Sequence, residues 1–494
     1  MKEISEIYQE YKKKQFIYCD AIQHIKNMQS IILNSGKELD ENEKDEISLF
    51  LKAKGIAGIG YGKSSLTSDQ IEKLKKDWGK DKLTKNLLAI KKSSEDDLEQ
   101  KITDLNETLK NTRSHYLNLL CRRMVATMRP KELFFILADK DLEQLYELLH
   151  ISKDIVSPKE DSNIRWYKLN RHIYDELWNK LKLKDEDDNK YKSIFSYFGW
   201  YLKNSLLQQM ELINLLTDNK NLVLTGAPGT GKTYMAKEIA KSLIGRDFKE
   251  SGCKQFKMVQ FHPSYDYTDF VEGLRPIQIG NDIKFERKDG VFKTFCKEAL
   301  NQSDKNFVFL IDEINRGELS KIFGELFFSI DPSYRGTIGK IQTQYQNLIT
   351  DEIDEFKDGF YVPENVYIIG TMNDIDRSVE AVDFAVRRRF AWFDVSWDYS
   401  FDSILGSLND NNGKLKELKV KERFENLNKY IEEQLGDAFC IGGSYLLKLK
   451  SYINDEDPIK KLWDLHIKGV IKEYIRGNDI LQLEEFEKKF VGNK

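Results

Sequence analysis

The chain has 494 residues, 40% of them hydrophobic and 12% aromatic. That is enough for roughly two to four domains with buried cores, and it excludes wholesale disorder. Its 77 Lys+Arg and 81 Asp+Glu leave a formal net charge of −4, which excludes a histone-like polycation but permits a local basic surface facing nucleic acid.

Five cysteines, at 19, 121, 253, 296 and 440, are too scattered for a disulfide scaffold or a Cys-x-x-Cys zinc site. No apolar run reaches the ~18 residues of a membrane span. The opening Met-Lys-Glu-Ile-Ser-Glu-Ile carries acids where a secretory signal needs an apolar block. A soluble, cytoplasmic protein with no membrane partner is expected.

The first 129 residues contain no proline, and Lys/Glu-rich texture of this kind sustains helices, so 1–205 is predicted to be a mainly α-helical N-terminal region. Leu98, Ile102, Leu105, Leu109, Tyr116 and Leu119 form an apolar stripe opened by Ser93, Ser94 and the acids at 95–97. A core helix is the favoured reading of the stripe, with an intermolecular coiled coil as the alternative. Ala57 to Ser64 (Ala-Gly-Ile-Gly-Tyr-Gly-Lys-Ser) nearly matches a phosphate loop but follows a helical pattern. A structural turn is favoured there over a turn that offers amides to DNA phosphates, and over a nucleotide site.

Trp166, Tyr167, Trp178, Tyr197 and Trp200 are read first as core, second as a pocket stacking on a flipped modified base. Lys12–Lys14, Lys73–Lys76 and Arg122-Arg123 fit phosphate contacts or solvated helix faces equally well. The region is a candidate DNA-recognition or partner-docking domain.

From about residue 206 the texture changes. Asn221–Thr225, Phe256–His262, Phe307–Ile311, Val366–Thr371 and Phe390–Val395 read as buried strands, with helical patterns near 232–243, 291–301, 316–329 and 378–387 between them. Such alternation predicts an α/β fold over 206–400, a parallel sheet with helices on both faces. Residues 401–494 return to helix, as a lid-like subdomain.

Gly226, Ala227, Pro228, Gly229, Thr230, Gly231, Lys232 and Thr233 fit G-x-x-x-x-G-K-[ST] between a strand and a helix. The backbone N–H groups of such a loop turn inward around a phosphate chain, Lys232 supplies charge, and Thr233 offers a hydroxyl to Mg²⁺. Asp312 and Glu313 end an apolar strand, where a parallel sheet presents its ligand site. Asp312 is expected in the Mg²⁺ shell with Thr233, and Glu313 as the base that orients and deprotonates water. Asn373, at another strand end, suits a sensor of the terminal phosphate. Arg388 and Arg389, in the run Arg387–Arg389, are candidates for a finger reaching a neighbour's nucleotide, with a helix cap as the alternative. The six histidines are scattered, His262 reads as structural, and no metal-nuclease core is apparent, so any cleavage needs another polypeptide.

This order of motifs is similar to AAA+ NTPases, and 221–395 more specifically resembles the McrB family, motor subunits of modification-dependent type IV restriction systems. The resemblance rests on Met258–Pro276, on Arg287-Lys-Asp-Gly-Val-Phe292 and on Ile311-Asp-Glu-Ile-Asn-Arg316 with Leu319–Glu325. It rests also on Tyr361–Gly370, on Met372–Ser378 and on the lid fragment Cys440-Ile-Gly-Gly-Ser-Tyr445. Asp374 and Ile375 stand where the family usually has Thr and Ala. The resemblance implies GTP in preference to ATP, a homo-oligomeric ring, usually hexameric, a McrC-type nuclease partner and DNA. It also implies that Asp376 and Arg377 couple the nucleotide site to ring neighbours or that partner. A remodelling chaperone driven by ATP and acting on a protein is the alternative.

Overall fold

The structure, a computed structural model, describes residues 4–13, 19–34, 37–51, 68–110, 117–183, 188–245, 253–279, 282–375, 384–399, 401, 404–405, 408, 414–478 and 480–492. The chain divides into two compact units, Glu3–Gln208 and a second over Gln209–Lys494.

The regular elements among the described residues of the first unit are helices. Helix Lys82–Lys92 starts on Asp81, whose carboxylate accepts from the Thr84 N–H, and helix Ser162–Lys180 starts in the same way on Asp161. In helix Glu95–Lys110 the residues Leu98, Ile102, Leu105 and Leu109 are fully buried, so this part of the stripe faces the unit's own core. Tyr116 and the Ala57–Ser64 loop lie outside the described residues.

Of Trp166, Tyr167, Trp178, Tyr197 and Trp200, all but Trp200 belong to the core or pack against it. Trp166 is fully buried with its indole N–H on the Ile136 carbonyl at 2.7 Å, Tyr167 and Tyr197 are buried, and Trp178 stacks on Tyr174. Trp200 is exposed, with the Lys203 ammonium 4.1 Å from its ring. Arg122 and Arg123 are buried and not on a DNA-facing surface. Arg122 is consumed by Asn163, Asp139, Ser162 and the Leu137 carbonyl.

The second unit is built on a five-stranded parallel sheet. Its strands are β1 (Asn221–Thr225), β2 (Phe256–Gln260), β5 (Phe307–Asp312), β6 (Val366–Thr371) and β7 (Ala391–Asp394), in the order β2-β5-β6-β1-β7. The central strands β5, β6 and β1 are apolar on both faces, as a covered parallel sheet requires, and the edge strands β2 and β7 are only half-buried. Val223, Phe309 and Ile368 pack into one core layer, while Leu222, Leu224, Leu310 and Ile369 pack into the other against helix Lys232–Ile244. Leu212 and Leu216 join the second layer.

Two features differ from the sequence expectation. The predicted helix over 316–329 is broken into Leu319–Phe323 and Leu326–Ser329, because Gly324 adopts a left-handed φ of 49°. A two-stranded antiparallel ribbon, β3 (Glu272–Ile279) with β4 (Asp282–Asp289), stands where no strand was predicted. Its base is a charge cluster: Glu272 and Lys293, both fully buried, pair at 2.7 Å, and Arg287 reaches Glu272 at 2.9 Å and Asp289 at 2.6 Å. Further out, Leu274, Ile283 and Phe285 share one exposed face, set by the pairings Leu274↔Arg287, Pro276↔Phe285 and Gln278↔Ile283. Among the described residues no helix is long and apolar enough to cross a membrane.

Candidate nucleotide-binding site

β5, β6 and β1 are neighbours, and the pairings Ile311↔Gly370 and Leu224↔Thr371 bring their C-terminal ends level. The three sequence motifs therefore meet on one edge of the sheet. After β1 the chain turns through Gly226, Gly229 and Gly231, whose φ values of 132°, 81° and 97° favour residues without a Cβ. The loop then enters helix Lys232–Ile244, whose first amides point back toward the turn.

Lys232 is 6% exposed and its ammonium donates to the carbonyls of Gly226 and Ala227, both at 2.8 Å. Burial pushes its pKa down to about 8, against the pull of Asp374, Glu313, Asp394 and Asp312. Asp374 is displaced upward by burial and by Asp394, opposed by Lys232 and the Gly226 N–H.

Asp312 Oδ1 accepts from the Thr233 hydroxyl at 2.7 Å and from the Thr371 hydroxyl at 2.6 Å. Thr371 also accepts the Glu313 backbone N–H at 3.2 Å. Sequence reasoning passed over Thr371: a threonine closing a strand reads as an ordinary β-former. Glu313 itself has left-handed backbone angles, φ 53° and ψ 49°, uncommon for a residue with a Cβ and often a mark of a functional turn. Its carboxylate accepts from Asn373 Nδ2 at 2.8 Å and from Arg316 Nε at 3.2 Å. The predicted base and the predicted sensor are thus in direct contact.

A hydroxyl and a carboxylate 2.7 Å apart at the mouth of a glycine-rich loop form a hard-oxygen pair, the donor set Mg²⁺ uses when phosphates complete its octahedron. Thr233 and Asp312 would hold the ion. Among the described residues no group of three or more His, Cys, Asp or Glu side chains converges as a metal cage.

The arginines separate. Arg387 lies over the Trp392 ring at 5.1 Å, and Arg389 donates to the Ala385 carbonyl at 2.6 Å and lies over Phe327. Arg388 is exposed on the short helix Phe384–Arg387 and its following turn. Asp376 and Arg377 lie outside the described residues.

Comparison with known proteins places the sheet and the lid in known families. The profile of the AAA domain (dynein-related subfamily) matches residues 221–390, and that of the McrB alpha-helical lid domain matches 419–480. Over 238 residues the chain is 40% identical to the type IV methyl-directed restriction enzyme EcoKMcrB subunit of Escherichia coli (strain K12), covering 47% of this chain and 49% of that relative. The chain carries an McrB-like AAA+ NTPase module. The McrB-like module is also similar to the type II restriction enzyme BsuMI component YdiS of Bacillus subtilis (strain 168). There the identity is 28% over 204 residues, 35% of this chain and 56% of that relative. The chain spans about half the length of the curated relatives it matches. The helical lid follows the sheet, and its turn at 440–444 lies on the glycine-rich loop.

Proposed function

We propose that the chain is the nucleotide-hydrolysing motor of a restriction system, using GTP in preference to ATP. In this reading it works as a homo-oligomeric ring, usually hexameric, with a separate McrC-type nuclease subunit, and engages DNA carrying a modified base through residues 1–205. The observation that carries the proposal is the hydrogen-bonded set Thr233–Asp312–Thr371–Glu313–Asn373 beside the glycine-rich loop. The GTP preference, the ring, the nuclease and the DNA rest on likeness to the McrB family.

Gly226 to Thr233 wrap the phosphate chain with backbone N–H groups, and Lys232 leaves its own loop's carbonyls for the terminal phosphates. Mg²⁺ held by Thr233 and Asp312 would neutralise the charge on the β- and γ-oxygens. Glu313, released from Asn373 and Arg316, takes a proton from the attacking water, and Asn373 turns its amide to the γ-phosphate. Arg388 is the better placed finger, because Arg389 is held within its own subunit. Asp376 and Arg377 are assigned to coupling with neighbours.

The test is phosphate release from GTP and from ATP, with and without the co-encoded nuclease, by wild type and by Glu313→Gln. GTP-dependent release that rises with the nuclease and vanishes in the variant is expected. No release by wild type under any of these conditions refutes the motor. Binding to methylated and plain DNA across a salt series separates a DNA motor from a protein remodeller: a reader shows both a salt slope and a modification preference.

A further inference from the structure

The lid touches the glycine-rich loop through main-chain atoms that the hydrolytic scheme leaves without a role. The Gly442 N–H donates to the Pro228 carbonyl at 3.0 Å, and the Ser444 N–H donates to the Gly229 carbonyl at 3.1 Å. The approach is tight. A Cβ on Gly442 would stand 1.9 Å from the Gly229 carbonyl carbon and 2.1 Å from the Thr230 nitrogen, and one on Gly229 would stand 2.5 Å from Ser444 Oγ.

The turn is held from behind by Asn428, a fully buried residue of helix Val420–Leu435. Its Nδ2 donates to the Ile441 carbonyl at 3.0 Å and its Oδ1 accepts the Ile441 N–H at 2.7 Å. A buried amide that exchanges two bonds with one backbone residue fixes that residue's position and orientation together.

A trans peptide unit is planar, with its C=O and N–H pointing opposite ways. The Pro228 carbonyl shares its unit with the Gly229 N–H, and the Gly229 carbonyl shares its unit with the Thr230 N–H. Tying both carbonyls to the lid therefore turns both N–H groups away from the lid turn, into the concave side of the loop where an anion is cradled.

We propose that the Gly442 and Ser444 amides, positioned by Asn428, act as a clamp. The clamp aims the Gly229 and Thr230 N–H groups at the ligand's phosphate chain, so that the seating of the lid sets affinity for the triphosphate itself and not for the base. Gly442, Ser444 and Asn428 are positioning residues. The inference rests on the reading that nucleotide binds in this loop.

The test uses the full chain and three ligands: a fluorescent GTP analogue, ATP, and inorganic tripolyphosphate as a baseless probe. Asn428→Ala and Ser444→Pro are compared with wild type and with Lys232→Ala. Proline near the start of the short helix Gly443–Lys448 removes the donor at a position helices tolerate. Each lid variant should weaken all three ligands by the same factor, about five- to tenfold for the loss of one oriented contact, with the GTP-to-ATP ratio unchanged. Asn428→Ala, which strands the Ile441 N–H and carbonyl, should also lower the thermal midpoint without unfolding the chain at the assay temperature.

Loss confined to the two nucleotides overturns the clamp, and so does wild-type affinity for tripolyphosphate in the folded variants. A variant-free measurement accompanies these. Deuterium uptake at 441–445 of wild type should slow with tripolyphosphate alone, and unchanged uptake counts against the clamp. Wild type that binds none of the three ligands, like Lys232→Ala, would refute the nucleotide reading instead.

Discussion

Thr371→Val replaces a hydroxyl by a methyl at nearly constant volume and so isolates one contact set. The side chain is 3% exposed, so water does not substitute freely for what is lost. Two bonds go: the 2.6 Å donation to the Asp312 carboxylate, and the acceptor for the Glu313 N–H at 3.2 Å. The first is charge-assisted and worth ~1.5–3 kcal/mol, and the stranded amide costs ~1–3 kcal/mol.

Thr233 remains on Asp312 Oδ1, so the carboxylate keeps one donor and the combined loss falls near the lower end, about 3 kcal/mol. A part of that free energy fixes where Asp312 and Glu313 point during turnover. The expected result is a fall in kcat of about tenfold to a hundredfold, at 1.36 kcal/mol per decade, with a rise in the Mg²⁺ concentration needed for half-maximal rate. Steady-state phosphate release across a Mg²⁺ series measures both, and urea unfolding measures the stability loss. Thr371→Ser keeps the hydroxyl and should stay near wild type. A valine variant with wild-type kcat and Mg²⁺ dependence would refute the positioning argument.

Three further expectations concern the same unit. Arg388→Ala should lower turnover by about 10³-fold with nucleotide binding and thermal midpoint intact, and mixing it with Lys232→Ala subunits should restore some activity. Failure of that rescue counts against a site shared between subunits. Burial depresses the Lys232 pKa to about 8, while a bound triphosphate favours the ammonium, so binding takes up a proton above that pH. Affinity should therefore fall by up to about tenfold per unit as pH rises past 8, and a flat titration series would contradict this. Glu272→Leu strands the fully buried Lys293 with Asp289 at 3.9 Å and should cost ~3–5 kcal/mol in urea unfolding. The double variant Glu272→Leu/Lys293→Leu should lose less than the single one, and an equal or larger loss would refute the pairing argument.

The parallel sheet was legible because its central strands are runs of apolar residues long enough to cross a covered layer, and their chemistry sits in the next residue or two. Asp312, Glu313 and Asn373 could be read as one site because a parallel sheet gathers its strand ends. The ribbon of β3 and β4 escaped because its alternation is short, Ile283 and Phe285 set among charged residues of β4, and Pro276 argues against a strand in β3.

Arg122 and Arg123 looked like a basic patch. The groups that bury Arg122 come from 15 to 41 residues away, and no local pattern announces them. The lid clamp is less legible still, since Gly442 reaches Pro228 through backbone atoms common to every sequence. Arg388 and Arg389 are adjacent and chemically identical, and tertiary contacts tell them apart: Phe327, the Ala385 carbonyl and Asp331 at 3.8 Å all hold Arg389.

The ribbon leaves Leu274, Ile283 and Phe285 on one wet face, above a base locked by buried charges. Side chains that stand on that flank cannot pack against the ribbon's own charged base, so hydration there is unfavourable. The cost of wetting that flank adds to that of the other exposed apolar side chains, Ile353, Phe384 and Ile480 among them.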